Sequence, residues 1–178
     1  MTDGIFYSMK GDFFMEKKPC SHSRTVKTAQ ILPPDANAYG NLFGGRLMAH
    51  IDDVAAIAAV RHARKSVVTA STDSVDFLKP VKVGDSICVE GFVTYVHNTS
   101  MEVFVKVEKE GLLSAEKEVC ATAFLTFVAI DESGNPTPVA KVYPETELEK
   151  LLHDSAPLRR KRRNERRKES EKMAKLLS

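Results

Sequence analysis

The chain has 178 residues, 43% of them hydrophobic, enough for one buried core and too little for two ordinary domains. Its formal charge of +2 hides a split: residues 158–178 carry ten Lys or Arg against three Glu, net +7, which leaves −5 for residues 1–157. No apolar run approaches the ~20 residues that span a bilayer, and the odd, widely spaced Cys20, Cys88 and Cys120 form no C-x-x-C pair; a membrane protein, a disulfide scaffold and a zinc or redox centre are set aside, and a reducing compartment, the cytoplasm, is expected.

Residues 1–22 show little periodicity and read as an N-terminal extension. Val26, Thr28 and Ile31, within residues 24–32, predict a first strand that Pro33-Pro34 ends. A loop follows through Asp35 to Asn41. From Phe43 to Arg64 the residues Leu47, Met48, Ile51, Val54, Ala55, Ala58 and Ala59 recur at helical spacing, and the many alanines let a curved sheet close tightly around this helix. The period then changes to two. Val75 and Phe77 precede the Pro80 and Gly84-Asp85 turn, and Ile87, Val89, Val93 and Tyr95 alternate with polar neighbours. Met101, Val103, Val105 and Val107 share one face of the next strand, and Val119, Ala121, Ala123, Leu125 and Phe127 one face of the last, with connections short enough for antiparallel pairing. Strand, long helix, then four strands is an α+β order with one helix on a mostly antiparallel sheet. One helix covers one face, so the other face and the open edges predict a dimer or higher oligomer. Beyond Val142, one short helix is expected from Pro144 to about His153 and a second, very basic one from Pro157. The division is thus residues 1–22, a folded unit over 23–143, and a basic helical tail over 144–178. The tail's charge points either to an anionic partner (nucleotide phosphate, nucleic acid or a neighbouring subunit) or to a solvated helix.

The segment from Gly40 to Ala55, G-N-L-F-G-G-R-L-M-A-H-I-D-D-V-A, followed by Arg61-His62, resembles the acyl-CoA thioesterases related to brain-type and bacterial acyl-CoA hydrolases. The runs Ser74-Val75-Asp76-Phe77-Leu78-Lys79-Pro80-Val81 and Asn98-Thr99-Ser100-Met101-Glu102-Val103 are similar to the same family, so three motifs fall in order across residues 25–140. The resemblance implies the hotdog fold, a long central helix wrapped by a curved antiparallel sheet, and hydrolysis of fatty-acyl-CoA to fatty acid and CoA. It places the family's functional Asn at Asn41 and its Asp at Asp52. Because both are present in one chain, it also implies repeated sites in a homo-oligomer: a homodimer, and a hexamer as a trimer of dimers. Phe43 stands where some relatives have His.

Thioester hydrolysis needs an activated water and donors aimed at the oxygen that becomes negative. Under the resemblance Asp52 acts as general base, or as nucleophile through an anhydride, and Asn41 orients water or thioester. Gly45 N–H at the helix start is the expected oxyanion donor. Coenzyme A enters as part of the substrate, with no separate cofactor and no metal. Its phosphates and pantetheine call for Gly44, Arg61, Arg64, Lys65, Lys79, Thr99 and Ser100. Plainer readings stand beside these. Asn41 alone would be a helix cap, Asp53 turns about 100° from Asp52 to the surface, His50 and His62 read as interface packing, and the strand stripes are core. Dehydration of a 3-hydroxyacyl thioester is disfavoured, since the loop before the helix carries Asn41 and Phe43 rather than a histidine. The alternative from another class is a non-catalytic acyl-CoA-binding or nucleic-acid-associated protein using the tail, whose Arg runs lack interleaved aromatics.

Overall fold

The computed structural model describes residues 17–177. Residues 1–16, most of the expected extension, lie outside it. The five long-sheet strands run antiparallel in the order β2-β4-β5-β6-β3, with β2 Thr25–Gln30, β3 Ser66–Phe77, β4 Ser86–Val96, β5 Ser100–Glu110 and β6 Lys117–Ile130. Between β2 and β3 the chain crosses the whole sheet as helix α1, Gly44–Ala63, so these two strands become opposite edges. This is the hotdog arrangement.

Helix α1 sits closely against the sheet because its inward positions are small: Ala55, Ala58 and Ala59 are fully buried with Val54 and Ile51. On β4, Gly91 completes the fit. A Cβ there would lie 3.0 Å from the Val54 side chain and 3.3 Å from the Phe104 carbonyl, so a larger residue would push the helix outward. Most of the alternation read from the sequence is real: Met101, Val103, Val105 and Val107 are all buried, as are Ala121, Ala123, Leu125 and Phe127, but Val119, expected on the same face, is exposed beyond the register irregularity at Val107 and Glu108. Strand β3 is longer than Val75 and Phe77 indicated. It starts three residues after the helix, and its Ser and Thr content, with two register irregularities against β6, masks the period.

Two expectations are corrected. The segment just before residue 23 is not all extension: β1, Lys18–Pro19, pairs in parallel with β7, Val142–Tyr143, and Cys20 is wholly buried. The tail is one 31-residue helix, α2, Glu147–Leu177, about 46 Å long, which carries Pro157 inside it rather than restarting there. The proline removes one backbone donor, but both sides of it are held down. Leu152 and Ala156 are buried, and Arg159 bonds to the sheet.

Part of the tail's charge finds its anions within the same chain. Arg159 forms a paired contact with the buried Glu102 on β5, Nε to Oε2 at 3.0 Å and Nη2 to Oε1 at 2.7 Å, and its guanidinium lies 4.2 Å from the Phe124 ring centre. Arg163 donates to Thr126 Oγ1 at 2.6 Å, and Arg166 donates to Asp73 Oδ1 at 2.7 Å. Part of the outer sheet face, expected to need a partner, is therefore covered by α2. No helix among the described residues is long and apolar enough to cross a membrane.

Candidate active site

The loop before α1 is closed by its own backbone. Asn37 N donates to the Asn41 carbonyl at 2.7 Å, Gly40 N to the Asn37 carbonyl at 3.0 Å, and Asn41 forms an isolated bridge with Lys82. The Asn37 side chain is fixed inside that ring: its Oδ1 accepts from Tyr39 N at 2.9 Å and from Asn41 N at 3.2 Å. An amide whose oxygen is engaged by two N–H groups presents its NH₂ end outward as a donor. Positive φ at Gly40, 73°, allows the tight return.

The helix N-cap is Phe43, which makes no side-chain capping bond. The plain reading of Asn41 as a cap is thereby excluded. Gly44 and Gly45 are the first helical residues, whose N–H groups have no acceptor within the helix ladder and lie at its positive end. A cavity of about 370 Å³ opens beside them, lined by Asn37, Asn41, Gly44, Leu47, Phe77 and Lys79 among others. Gly45, the expected oxyanion donor, is not among the residues that line it, and a Cβ there would fall 2.6 Å from the Phe43 ring.

Asp52 does not line this cavity. It lies seven residues beyond Gly45, two turns along and on the same helix face, at a rise of about 10 Å. Between them Met48 is 43% exposed, a large apolar side chain on an uncovered stripe. Asp52 Oδ1 accepts from Thr69 Oγ1 at 3.3 Å, a weak bond that ties the carboxylate to β3. Burial, with the Lys27 charge after it, pushes His50 below its ordinary range. Asp53 behaves as expected and pairs with Lys27 at 2.8 Å on the surface.

The expected coenzyme A set separates into three places. Gly44 and Lys79 border the helix-start cavity. Arg61 is engaged elsewhere, donating to the Arg24 carbonyl and Thr25 Oγ1, while Lys65 donates to Thr137 Oγ1 and the Pro138 carbonyl, and Arg64 caps the far end of α1 with φ of 52°. Thr99 and Ser100 lie on the outer side of the sheet under α2. His62 is buried at the C-terminal end of α1, its Nε2 2.8 Å from the Ala140 carbonyl, as packing rather than as a base. Two polar residues escaped the sequence reading, Asn37 and Thr69. Asn37 is one of two loop asparagines, and only the backbone wrap shows which amide is fixed; Thr69 is one hydroxyl in a Ser/Thr-rich strand.

The Thioesterase superfamily matches residues 39–115. The uncharacterized acyl-CoA thioester hydrolase YkhA of Bacillus subtilis is 52% identical over 162 residues, covering 91% of this chain and 94% of that protein. Among solved structures, the Staphylococcus aureus acyl-CoA hydrolase in complex with butyryl coenzyme A, coenzyme A and coenzyme A disulfide superposes with a TM-score of 0.87 at 45% identity, over 91% of this chain and 99% of that one. That enzyme has also been solved with single alanine replacements of an aspartate, a threonine and an asparagine. An apo-hexameric acyl-CoA thioesterase matches with a TM-score of 0.83 at 49% identity, over 85% of this chain and 97% of that one. On the fold, the helix-start cavity and these relatives together, the chain belongs to the acyl-CoA thioester hydrolase family.

Proposed function

We propose that the chain hydrolyses acyl-CoA thioesters at a site completed by two copies of itself, with Asn37 rather than Asn41 as the working asparagine. The observation that carries this is a separation along α1: Asn37 of the preceding loop and Gly44 line one cavity at the helix start, with Gly45 next in the helix, and a carboxylate with its hydroxyl partner, Asp52 and Thr69, lies about 10 Å further along. A second helix packed across this uncovered stripe through a two-fold axis sets the donors of one copy opposite the carboxylate of the other. The spacing of the residues replaced in the S. aureus enzyme supports the assignment. Its asparagine and aspartate stand fifteen positions apart, and its aspartate and threonine seventeen. Asn37, Asp52 and Thr69 repeat those types at those intervals.

In this arrangement Asp52 takes a proton from water as the water oxygen bonds to the thioester carbonyl carbon. The Thr69 hydroxyl holds one carboxylate oxygen and leaves the other for the water. Asn37 NH₂ and Gly45 N–H receive the oxygen that becomes negative. Collapse breaks the C–S bond, and the thiolate of coenzyme A takes a proton to leave as the thiol. The reaction draws on no cofactor beyond the coenzyme A portion of the substrate. Lys79, at the cavity rim, suits the pantetheine or phosphate end. Assembly to a hexamer, as a trimer of dimers, is supported by the hexameric relative and by edge strand β3, paired on one side only within the described residues. The unbridged Cys20, Cys88 and Cys120 fit a reducing cytoplasm.

Free-thiol release from acyl-CoA of graded chain length tests the activity, with Asp52→Asn as the variant. Turnover should fall by about 10²–10⁴-fold with the oligomer intact, the range for losing a positioned base. Parental turnover in that variant would remove Asp52 from the reaction.

A further inference from the structure

Between α2 and the outer sheet face lies a second cleft, about 710 Å³, with Arg160, Arg163, Arg166 and Arg167 on one wall and Thr99 and Ser100 opposite. Its charge is unbalanced. Asp73 alone serves both Arg163, at 3.4 Å, and Arg166, at 2.7 Å, and Arg167 is met by Glu171 at 3.0 Å. Arg160 forms no ion pair among the described residues and is half-buried at the cleft wall, so four guanidinium groups face two carboxylates. The remaining polar lining is Asn164 and Ser170 on α2 and hydroxyls on the sheet side: Ser71 and Thr126 are both anchored to Asp73, which leaves Thr99 and Ser100 as the open donors of the sheet wall. Surplus planar cations beside hydroxyl donors, in a pocket the size of a small ligand, are the complement of clustered phosphate oxygens. The tail is thus more than a brace for the sheet. Arg159, which meets Glu102 and Phe124 on the sheet and also donates to Ser155 Oγ and the Leu152 carbonyl on α2, does the bracing, while Arg160 and Arg167 do not.

We propose that the cleft between α2 and the outer sheet face binds the phosphate groups of a nucleotide, with Arg160 and Arg167 as the recognising cations. Two sources share that chemistry: the 3′-phospho-ADP portion of the substrate, a case that rests on the hydrolase reading, and a free nucleotide acting as an effector. Strand β3 connects the two places, since Thr69 meets Asp52 on the helix side and Ser71 lines the cleft on the other, across a register irregularity between them.

The test is calorimetric titration of the full-length oligomer with 3′,5′-ADP and with ADP, on the parent and on Arg160→Ala/Arg167→Ala, with Arg159, Arg163 and Arg166 left to hold the helix. Binding to the parent that weakens at least tenfold in the variant, and weakens with added salt, supports the site. In parallel, kcat/KM is measured for an acyl-CoA and for the matching acyl-pantetheine, which lacks the nucleotide. If the substrate's own nucleotide is the ligand, the acyl-CoA to acyl-pantetheine preference falls at least tenfold in the variant. If that preference is unchanged while ADP binding is lost, the ligand is a free nucleotide. Equal affinity of parent and variant for both nucleotides, or no binding to the parent at millimolar concentration together with an unchanged substrate preference, overturns the proposal. Arg160-dependent nucleotide binding in a protein that releases no thiol from acyl-CoA would instead leave the cleft standing and end the hydrolase reading.

Discussion

Replacing Arg159 with alanine perturbs the most buried ion pair of the tail. Glu102 keeps only 3% of its side chain exposed, and two of its contacts come from Arg159; Thr94 Oγ1, at 2.8 Å, is the remaining donor. Removing the guanidinium leaves a carboxylate out of water with one neutral hydroxyl, a situation that costs about 3–5 kcal/mol. The cation over Phe124 adds about 0.5–1 kcal/mol to the loss. Because Arg159 is itself 20% exposed, water entering the gap offsets part of this, so about 3 kcal/mol is expected. At about 2–4 °C per kcal/mol for a chain of this size, Tm should drop by about 6–12 °C. The assay is thermal and urea unfolding at one fixed protomer concentration, since assembly contributes to apparent stability. Glu102→Gln and the double variant close the cycle, and the double variant should be less damaged than the two single losses summed. A change under 0.5 kcal/mol for Arg159→Ala, or additive losses, would show that α2 is not held by this pair.

The two loop asparagines should separate. Asn37→Ala removes the amide fixed by Tyr39 N and Asn41 N, and kcat should fall by about 10²–10³-fold, the cost of one oxyanion donor, whereas Asn41→Ala should cost under tenfold; the reverse order in a thiol-release assay would restore Asn41. For His62, burial holds the folded imidazole below the ordinary range, with the Ala140 carbonyl opposing and the Lys18 charge assisting. The unfolded chain therefore binds more protons, and stability should decline as pH falls below about 6.5, by at most about 1.4 kcal/mol per pH unit from this residue. Urea midpoints from pH 7.5 to 5 check it, and His62→Leu should flatten the decline. A slope that survives the substitution would assign it to other groups.

Much of the fold was legible because its signals are periodic. The Ala-rich stripe from Leu47 to Ala59 and the alternation on β5 and β6 are properties of neighbouring residues, and burial selected both. What was illegible depends on distant partners. Cys20 looked like part of a tail until β1 found β7 across the fold, and the basic run after Pro157 gave no hint that Glu102 and Asp73 on the sheet would receive it. Local chemistry favours Pro157 as a helix start; docking on both sides of it overrides that preference. At the site, Asp52 and the glycines stand in a recognisable motif, whereas the proposal of Asn37 over Asn41 draws on a loop wrap, two backbone N–H groups donating to Asn37 Oδ1, that local sequence does not display. Thr69 becomes notable only because β3 lies beside Asp52.

The shared-site claim is tested most directly by mixing Asn37→Ala with Asp52→Asn. Each variant alone lacks one of the two poles at every site. Unfolding them together at equal concentration and refolding creates mixed pairs in which one of the two sites draws its intact Asn37 from one copy and its intact Asp52 from the other. Random pairing then returns about a quarter of parental thiol-release activity. If both residues served a site within one copy, no intact site would form in any mixture, and activity remaining at the level of the separate variants would contradict the account.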